Sequence, residues 1–362
     1  LGAVLAADVV SDLDLPPFDR AMMDGYAVRS SDPSPLRVVE ERGAGHAGGG
    51  TVEVGTCIKI MTGAPVPSGA DAVQQVEKTR RDGDRVTLLE PARPGQHIMP
   101  RGSEMGAGGI ALRAGHRLGP AEIGILAALG RVRVPVRARP RVAVLATGDE
   151  LVPPEATPGP GRIRNSNSAM LAAQVRALGL ACDDLGAVGD DREAIAARIR
   201  EGLTRDLLLL SGGVSAGDYD LVVPALEAAG ITLRLHKAAI KPGRPFCFAP
   251  GVFGLPGNPV SAFVIFEVFV RPYLGRCQGI DLSRPRVRAR LGTAFPKKID
   301  RLQMVPAALR GGAVDPVPWK GSGDLFALSR ANAFIIIPAQ TAYAAGADVD
   351  VMVLGEAIGN RH

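Results

Sequence analysis

The pattern of hydrophobic and polar positions divides the 362-residue chain into three regions. Residues 1–140 contain short alternating stretches, such as Arg85 to Leu89, among many glycines and prolines, which predicts strands and turns. A helical stretch from Pro120 to Leu129 interrupts them. Residues 141–275 alternate strand-length apolar runs with helix-length segments, and residues 284–362 return to short strands.

These patterns predict a multi-domain α/β protein. A central three-layer α/β domain with a mostly parallel sheet is expected, because strands and helices alternate. We expect a Gly/Pro-rich, mainly β N-terminal region and a small all-β C-terminal domain. The later strands are predicted at 142–146, 181–188, 207–210, 231–235, 287–291, 333–337 and 349–354. Helices are predicted at 192–202, 221–229 and 260–273, with another capped near Ser166 or Ser168.

The composition favours a globular protein over a membrane-spanning or nucleic-acid-binding one. With 46% hydrophobic and 22% charged residues, the chain can bury a sizeable core. No apolar run reaches the roughly 18–20 residues of a membrane span. Leu1 to Val10 lacks a signal-peptide pattern and looks like the end of a helix. A net charge of +5 without basic blocks favours an anionic small molecule over nucleic acid or a membrane.

The cysteines give no sign of a metal site. The chain has 4 cysteines, which lie far apart and form no C-x-x-C pair. Zinc binding and a disulfide framework therefore lack support. Reduced thiols and a cytoplasmic location are expected.

Three loops are expected to meet at the carboxyl edge of the central sheet, where ligands bind in open α/β folds. They are residues 147–150, 211–218 and 255–261. Glycine-rich turns before helix N-termini present N–H groups to an anion. The 211–218 loop matches neither a P-loop nor G-x-G-x-x-G, and tight turns that merely connect elements remain an alternative.

The second loop also contains Gly213-Val-Ser-Ala-Gly217, the G-x-S-x-G pattern of a hydrolase nucleophile elbow. Such an enzyme needs a later histidine. His236 lies within a predicted strand and His362 is terminal, so a hydrolase is disfavoured.

Carboxylates cluster in the same loops. Glu150 and Asp218 end different strands and could meet across the crevice. One or two carboxylates suffice for magnesium when substrate phosphates supply further oxygens. Asp149 and Asp191 are expected to be solvated or to cap helices.

Two of the few lysines sit four residues apart. If 236–241 is one strand, Lys237 and Lys241 point to the same face, because side chains alternate with period two. They would then contact a phosphate or another oxyanion. An edge strand protected by lysine is the alternative.

Two turns of the first region display polar side chains. Asp24-Gly25 predicts a tight turn that presents a carboxylate, and the turn over Ile60 to Pro67 presents Thr62. The pattern leaves open whether they face a site or are ordinary turns.

Taken together, these segments resemble the molybdopterin molybdenumtransferase (MoeA) family, whose eukaryotic relative is the C-terminal part of gephyrin. The resemblance covers Pro16-Pro-Phe-Asp-Arg-Ala-Met-Met-Asp-Gly-Tyr-Ala27, Met61-Thr-Gly-Ala-Pro65, Ala146-Thr-Gly-Asp-Glu150, Ser211-Gly-Gly-Val-Ser215, Lys241-Pro-Gly-Arg-Pro245 and Gly254-Leu-Pro-Gly-Asn-Pro-Val-Ser261. Weaker matches follow at Lys320-Gly-Ser-Gly-Asp324 and Ser329-Arg-Ala-Asn332.

The resemblance implies insertion of molybdate into adenylylated molybdopterin, with Mg²⁺ present and AMP released. The implied catalytic residues are Asp24, Glu150, Asp218, Lys237 and Lys241, of which the three acids would bind the metal. The implied substrate-binding residues are Thr62, Asp190, Ser211, Gly212, Gly213, Ser215, Pro256, Gly257, Asn258 and Ser322.

The resemblance also implies an assembly. A homodimer is expected, with the first region of one subunit completing the site of the other, and the molybdopterin adenylyltransferase is a possible further partner. The implied domains are a dimer-forming domain (1–27 plus 115–140), an inserted β-rich domain (28–114), a molybdopterin-binding α/β domain (141–283) and a β-barrel-like C-terminal domain (284–362).

One departure from the family pattern concerns the C-terminal domain. Family members often carry an arginine after the strand at Arg301-Leu302, where this chain reads Gln303-Met-Val-Pro306. A substitute basic contact could come from Lys320 or Arg310. The alternative functions are the related adenylyltransferase, disfavoured by the flanking regions, and a gephyrin-like scaffold with little catalysis.

Overall fold

The computed structural model describes residues 1–45, 49–214, 221–296 and 299–355. The chain forms two compact units, Leu1–Val136 and Arg137–His362. None of the helices in the described ranges combines the length and the apolar character that crossing a membrane requires.

The first unit is built mainly of strands. They are β1 (Val9–Val10), β2 (Arg20–Ala21), β3 (Gly25–Val28), β4 (Leu36–Arg42), β5 (Thr56–Ile60), β6 (Ala72–Gln75), β7 (Thr79–Asp82), β8 (Arg85–Leu88), β9 (Ile98–Met99) and β10 (Ile110–Leu112), with a 3-10 turn at Val76–Lys78 and helix α1 (Pro120–Ala128). A six-stranded sheet has the order β6-β3-β5-β4-β8-β7, and β1–β10 and β2–β9 form separate pairs. The predicted mainly β region with one helix is confirmed.

The N-terminal residues do not form the helix end that the sequence suggested. Val4 and Leu5 make isolated bridges to Arg117 and Val136, and β1 follows them. The predicted boundary at residues 27 and 28 falls within β3. The four-part division of domains remains a prediction.

Strand β3 lies between β5 and β6, and all four of its residues are buried. Gly25 begins it because the neighbouring strand is very close. A Cβ atom at this position would lie 2.8 Å from the carbonyl carbon of Gln74. Glycine therefore lets β3 start directly after Asp24, whose side chain stays at the strand end.

The second unit begins with alternating strands and helices. They are β11 (Val142–Thr147), β12 (Leu151–Val152), β13 (Ile163–Arg164), α2 (Ser166–Arg176), β14 (Cys182–Val188), α3 (Arg192–Gly202), β15 (Leu207–Ser211), α4 (Val222–Ala228), β16 (Leu235–His236), β17 (Ile240–Lys241), β18 (Cys247–Ala249), β19 (Val252–Leu255), α5 (Pro259–Ile265) and α6 (Arg271–Gln278). The central sheet has the order β14-β11-β15-β19-β18-β16. Its first four strands are parallel, and β18 pairs antiparallel with both β19 and β16.

Alternation along β11 explains the three layers. Val142 and Val144 pack into one cluster with Leu171 of α2 and with residues of α5 and α6. Ala143 and Leu145 pack into another cluster with residues of α3 and α4. Because neighbouring side chains of a strand point to opposite faces, one apolar run supplies both cores. The predicted three-layer domain is confirmed.

Two predicted helices of this unit are present but differ in local detail. The long helix predicted at 260–273 is α5 and α6 joined by a π-helical turn, Phe266–Val270. Pro272 at the start of α6 has no N–H to donate, so a regular α-helix cannot run through it. Helix α2 is capped by Asn165, whose side chain accepts from the Ser168 N–H, and not by either serine.

The C-terminal part forms a closed barrel. Its elements are β20 (Arg286–Leu291), β21 (Leu302–Arg310), β22 (Ala313–Pro316), α7 (Leu325–Arg330), β23 (Ala333–Ile337) and β24 (Asp348–Val353). The order β21-β22-β20-β24-β23 closes because β23 also pairs with β21, and β17 adds to the edge of β21. The predicted small β domain is confirmed. Strand β21 runs through Pro306 to Arg310 and is longer than the sequence pattern indicated.

Candidate functional site

A cavity of about 320 Å³ opens at the carboxyl ends of β11 and β15. The start of α2, the loop after β19 and a loop of the barrel complete its wall. This is where an open α/β sheet is expected to bind a ligand. Its described lining is Ala146, Thr147, Glu150, Leu151, Ile163, Arg164, Asn165, Ser166, Asn167, Ser211, Gly212, Gly257, Asn258, Pro259, Gly323 and Leu325.

The start of α2 contributes a polar wall that sequence reasoning missed. Asn167 is buried and donates from Nδ2 to Ser211 Oγ at 2.9 Å and to the Gly257 carbonyl at 2.7 Å. It thereby ties together two loops that were predicted to bind substrate. The available signal was the polar run from Asn165 to Ser168, which follows a strand and begins a helix.

The turn after β15 depends on two glycines. Gly212 and Gly213 have φ values of +96° and +60°. A Cβ atom on Gly212 would lie 2.5 Å from the Thr147 carbonyl oxygen. Ser211 and Gly212 line the cavity as predicted, whereas the predicted residues Ser215 and Asp218 lie outside the described residues.

Glu150 is exposed and lines the same cavity. Gly148, with φ of +142°, leaves room for its carboxylate. A Cβ atom at position 148 would lie 2.7 Å from Cδ of Glu150. Glycine at position 148 therefore leaves free the space that the Glu150 carboxylate occupies.

Asp190 lies beside Asp149, on the neighbouring loop. Asp149 Oδ1 accepts from the Asp190 N–H at 3.0 Å, and Asp190 Oδ2 faces the Asp149 N–H at 3.5 Å. These contacts join the loops that follow β11 and β14. Asp190 is not among the residues lining the cavity. Asp191 caps α3 by accepting from the Ala194 N–H, as predicted.

A second cavity, of about 430 Å³, lies next to the first and shares Asn258 with it. Three cationic side chains, from Lys241, Arg244 and Arg301, line it together with Ser322. The remaining lining residues are Ile240, Pro242, Gly243, Pro245, Pro256, Ser261, Trp319 and Gly321. The Ser322 carbonyl accepts from the Val260 N–H at 3.0 Å, which holds the barrel loop against the start of α5.

The prediction that Lys237 and Lys241 share one strand face is wrong. Lys241 ends β17 in the barrel sheet, whereas Lys237 follows β16 of the central sheet. Lys237 has φ of +76°, which ends the strand, and its N–H donates to the Phe246 carbonyl at 2.6 Å. Lys241 lines the second cavity; Lys237 is exposed and lines neither cavity.

Gln303 begins the segment that departs from the family pattern; it is buried and pairs with Lys241 in the sheet. Neither suggested substitute lines the cavity. Arg310 lies at the β21–β22 turn, and the Lys320 N–H donates to Asp324. Arg301, two residues before Gln303, supplies the cation of the barrel instead.

Within the first unit, Asp24 and Thr62 form a compact polar pair. Asp24 Oδ1 accepts from both the N–H and the hydroxyl of Thr62, each at 2.7 Å. These two hydrogen bonds, the backbone one first, hold the pKa of Asp24 below its ordinary value. Both residues are exposed, so the ionised carboxylate is available to a partner or ligand.

Family models match the chain over three consecutive ranges. The MoeA N-terminal region (domain I and II) matches residues 1–130, a probable molybdopterin binding domain matches 143–276, and the MoeA C-terminal region (domain IV) matches 288–354. The ranges are consistent with the order of the elements described above.

Named relatives give the same assignment. The chain is 40% identical to molybdopterin molybdenumtransferase 2 of Mycobacterium tuberculosis, over 93% of this chain and 88% of that protein. It is 34% identical to molybdopterin molybdenumtransferase of Staphylococcus epidermidis, over 98% and 89%. The crystal structure of a molybdopterin biosynthesis MoeA protein from Pyrococcus horikoshii matches with a TM-score of 0.86 and 33% identity, over 98% and 92%. The chain therefore belongs to the MoeA family of molybdopterin molybdenumtransferases.

Proposed function

We propose that this chain inserts molybdate into adenylylated molybdopterin and releases AMP. The observation that carries the proposal is the pair of adjoining cavities that share Asn258. One is lined mainly by polar groups, with one carboxylate from Glu150 and one cation from Arg164, and the other by three cations. Such a pair suits an organic substrate beside a small oxyanion. Membership of the family makes this the reaction to test first.

The first cavity is suited to the phosphate-bearing part of the organic substrate. Ser211 and the start of α2 offer hydroxyl and backbone N–H groups at the carboxyl edge of the sheet. Helix N-termini and glycine turns stabilise anions there. Asn258 would contact the substrate where the two cavities meet.

The second cavity is suited to molybdate, a tetrahedral dianion. Lys241, Arg244 and Arg301 would compensate its charge, and Ser322 would donate to one of its oxygens. Cations fixed beside the reacting oxygens also stabilise the charge that develops as the phosphoanhydride breaks. Lys237, which lines neither cavity, is proposed only as a more distant contact for a larger substrate.

Magnesium is proposed as the accompanying metal. The described residues contain no group of three or more His, Cys, Asp or Glu side chains that could hold an ion. One or two carboxylates suffice when substrate phosphates complete the shell, and Glu150 in the cavity wall fits that role. Glu150 and the predicted Asp218 would hold the ion, and its chemistry would be to neutralise phosphate oxygens.

The assembly remains part of the proposal. We propose a cytoplasmic homodimer in which Asp24 and Thr62 of one subunit act at the cavities of the other. The exposed, ionised Asp24 supports this role, since Thr62 fixes its carboxylate without covering it. Handover of substrate from the molybdopterin adenylyltransferase would require a contact with that enzyme.

AMP release from adenylylated molybdopterin tests the proposal. Purified protein and Mg²⁺ would be supplied with molybdate or without it, and AMP would be measured by chromatography. Molybdate-dependent release is expected. Equal release with and without molybdate would contradict insertion, and formation of adenylylated molybdopterin from ATP would identify an adenylyltransferase.

A further inference from the structure

The hydrogen-bond partners of Asn167 fix the orientation of its side-chain amide. Its Nδ2 faces the Gly257 carbonyl at 2.7 Å, and a carbonyl oxygen can only accept. The amino group must therefore point to Gly257 and Ser211, and Oδ1 must point away from them.

This orientation determines what the Ser211 hydroxyl can do. Ser211 Oγ accepts from Asn167 at 2.9 Å, so its own hydrogen is left to donate elsewhere. Within the described ranges, Ser211 Oγ makes no second side-chain hydrogen bond. Because Ser211 lines the first cavity, that hydrogen is available to an acceptor bound there.

Two further polar atoms indicate that the cavity wall is made for a ligand. In the described part of the chain, Asn167 Oδ1 and Thr147 Oγ1 are buried without a hydrogen-bond partner. The side chains of Asn167 and Thr147 are only 9% and 3% exposed, and both residues line the first cavity. Unpaired buried acceptors are uncommon in folded proteins and point to groups that are paired in another state.

We propose that Asn167 is a positioning residue, which sets Ser211 as a hydrogen-bond donor to a phosphate oxygen of the nucleotide-bearing substrate. The inference rests on the proposed function, which supplies the ligand. It goes further by assigning a role to a residue outside the predicted site. The bond from Asn167 to Gly257 keeps the two loops at a fixed separation, so the phosphate meets the Ser211 hydroxyl and the Gly212 turn together.

Replacing Asn167 by Asp reverses this arrangement. A carboxylate accepts but cannot donate, so it would capture the Ser211 hydroxyl hydrogen and repel the Gly257 carbonyl. Asn332→Asp is the matched control, because it places the same new carboxylate against a backbone carbonyl, that of Leu309, outside both cavities. Its carboxylate can still accept from the Leu309 N–H.

Calorimetric titration of the full-length protein with AMP measures the effect directly. We expect N167D to weaken AMP binding about tenfold or more, the scale of a lost charge-assisted hydrogen bond, and N332D to leave it nearly unchanged. In turnover, N167D should raise KM for adenylylated molybdopterin and leave KM for molybdate nearly unchanged. Equal weakening by N332D and N167D would show that an added carboxylate anywhere in this unit weakens binding, and it would overturn the proposal.

A double-mutant cycle with Ser211→Ala separates positioning from general disruption. If Asn167 acts through Ser211, N167D should weaken AMP binding far less in the S211A background than in the wild type. Strictly additive effects would overturn the inference. Should N167D not fold, Asn167→Ser combined with S211A provides the same cycle. Wild-type protein that binds AMP but shows no molybdate-dependent release would contradict the proposed function while leaving this test intact.

Discussion

The Glu150 carboxylate occupies the space that a side chain at position 148 would take, and the residue at that position is Gly148. The position of a Cβ atom at residue 148 lies 2.7 Å from Cδ of Glu150, so an alanine side chain and the carboxylate would overlap. Gly148→Ala should therefore displace Glu150 from the first cavity. A shift of about 1 Å in a reacting group can reduce turnover on the order of 100-fold. The rate of molybdate-dependent AMP release measures this loss.

A second glycine provides the control. Gly161 also has a positive φ, of +71°, but a Cβ atom there would meet nothing within 4 Å. Gly161→Ala carries the backbone penalty of about 1 kcal/mol without the overlap. It should lower the melting temperature slightly and keep turnover. Equal loss of turnover in both variants would show that loop strain, and not the position of Glu150, is responsible.

Arg301 should contribute to molybdate binding. It lines the second cavity with Lys241 and Arg244. Loss of one charge-assisted contact corresponds to about a tenfold change in affinity. Arg301→Ala should raise KM for molybdate by about that factor and change KM for the organic substrate little.

Arg310→Ala is the matched control for this effect, because Arg310 lies at the β21–β22 turn and does not line the cavity. It removes the same charge from the last residue of β21, whereas Arg301 directly precedes that strand. Unchanged kinetics are expected. If both variants raised KM for molybdate alike, the effect would reflect the overall field of the protein and not a contact in the cavity.

The sequence predicted the central fold well because its most continuous apolar runs form β11 and β15, two fully buried strands of the parallel sheet. Every residue of β11 is buried, and the run ends where the polar Thr147-Gly-Asp-Glu150 loop begins. Loops after parallel strands must meet at one edge, so Glu150, Ser211 and Asn258 could be placed together before their distances were known.

The failures arose where backbone geometry overrides residue spacing. Lys237 and Lys241 have the spacing of one strand face, but the positive φ of Lys237 sends the chain from one sheet into another. Asn167 gave no periodic signal, since its role depends on contacts to loops 44 and 90 residues away. Tertiary contacts of this kind cannot be read from local sequence patterns.

The pKa of Asp24 should respond to Thr62. The Thr62 N–H and hydroxyl stabilise the ionised form, so this group adds stability above its unfolded pKa and loses it as the pH falls through its lower folded pKa. Thr62→Val removes only the hydroxyl. The pKa of Asp24 should rise but stay below its ordinary value, because the backbone bond remains.

Carboxyl NMR titration measures this shift, and Asp14 is an internal control. The pKa of Asp14 is also lowered, first by the Ala107 N–H and then by Arg101, neither of which Thr62→Val changes. A shift at Asp24 alone is expected. Equal shifts at both residues would indicate a general change of the first unit.

Glu267 should be critical for the stability of the second unit. Its side chain is 1% exposed, and it accepts from Gln174 at 2.9 Å and from Arg284 Nε at 2.6 Å. Arg284 also donates to the Leu354 carbonyl of the barrel, so this network joins the helix layer to the barrel. Removing one partner of a buried ion pair costs about 3–5 kcal/mol, because the other charge stays buried. Glu267→Ala should lower the free energy of unfolding by that amount, as measured by urea denaturation.

The triple variant Glu267→Leu/Arg271→Met/Arg284→Met tests the cause. It removes Glu267 and both of its arginine partners, of which Arg271 lies 3.5 Å away, and it keeps apolar volume. It should therefore regain much of the stability that Glu267→Ala loses. Arg288→Ala, in the exposed pair with Asp350, should cost no more than about 1 kcal/mol. Since the helix layer and the barrel both wall the second cavity, Glu267→Ala should also raise KM for molybdate. A stable Glu267→Ala protein with normal KM for molybdate would show that the network neither supports the fold nor aligns the cavity.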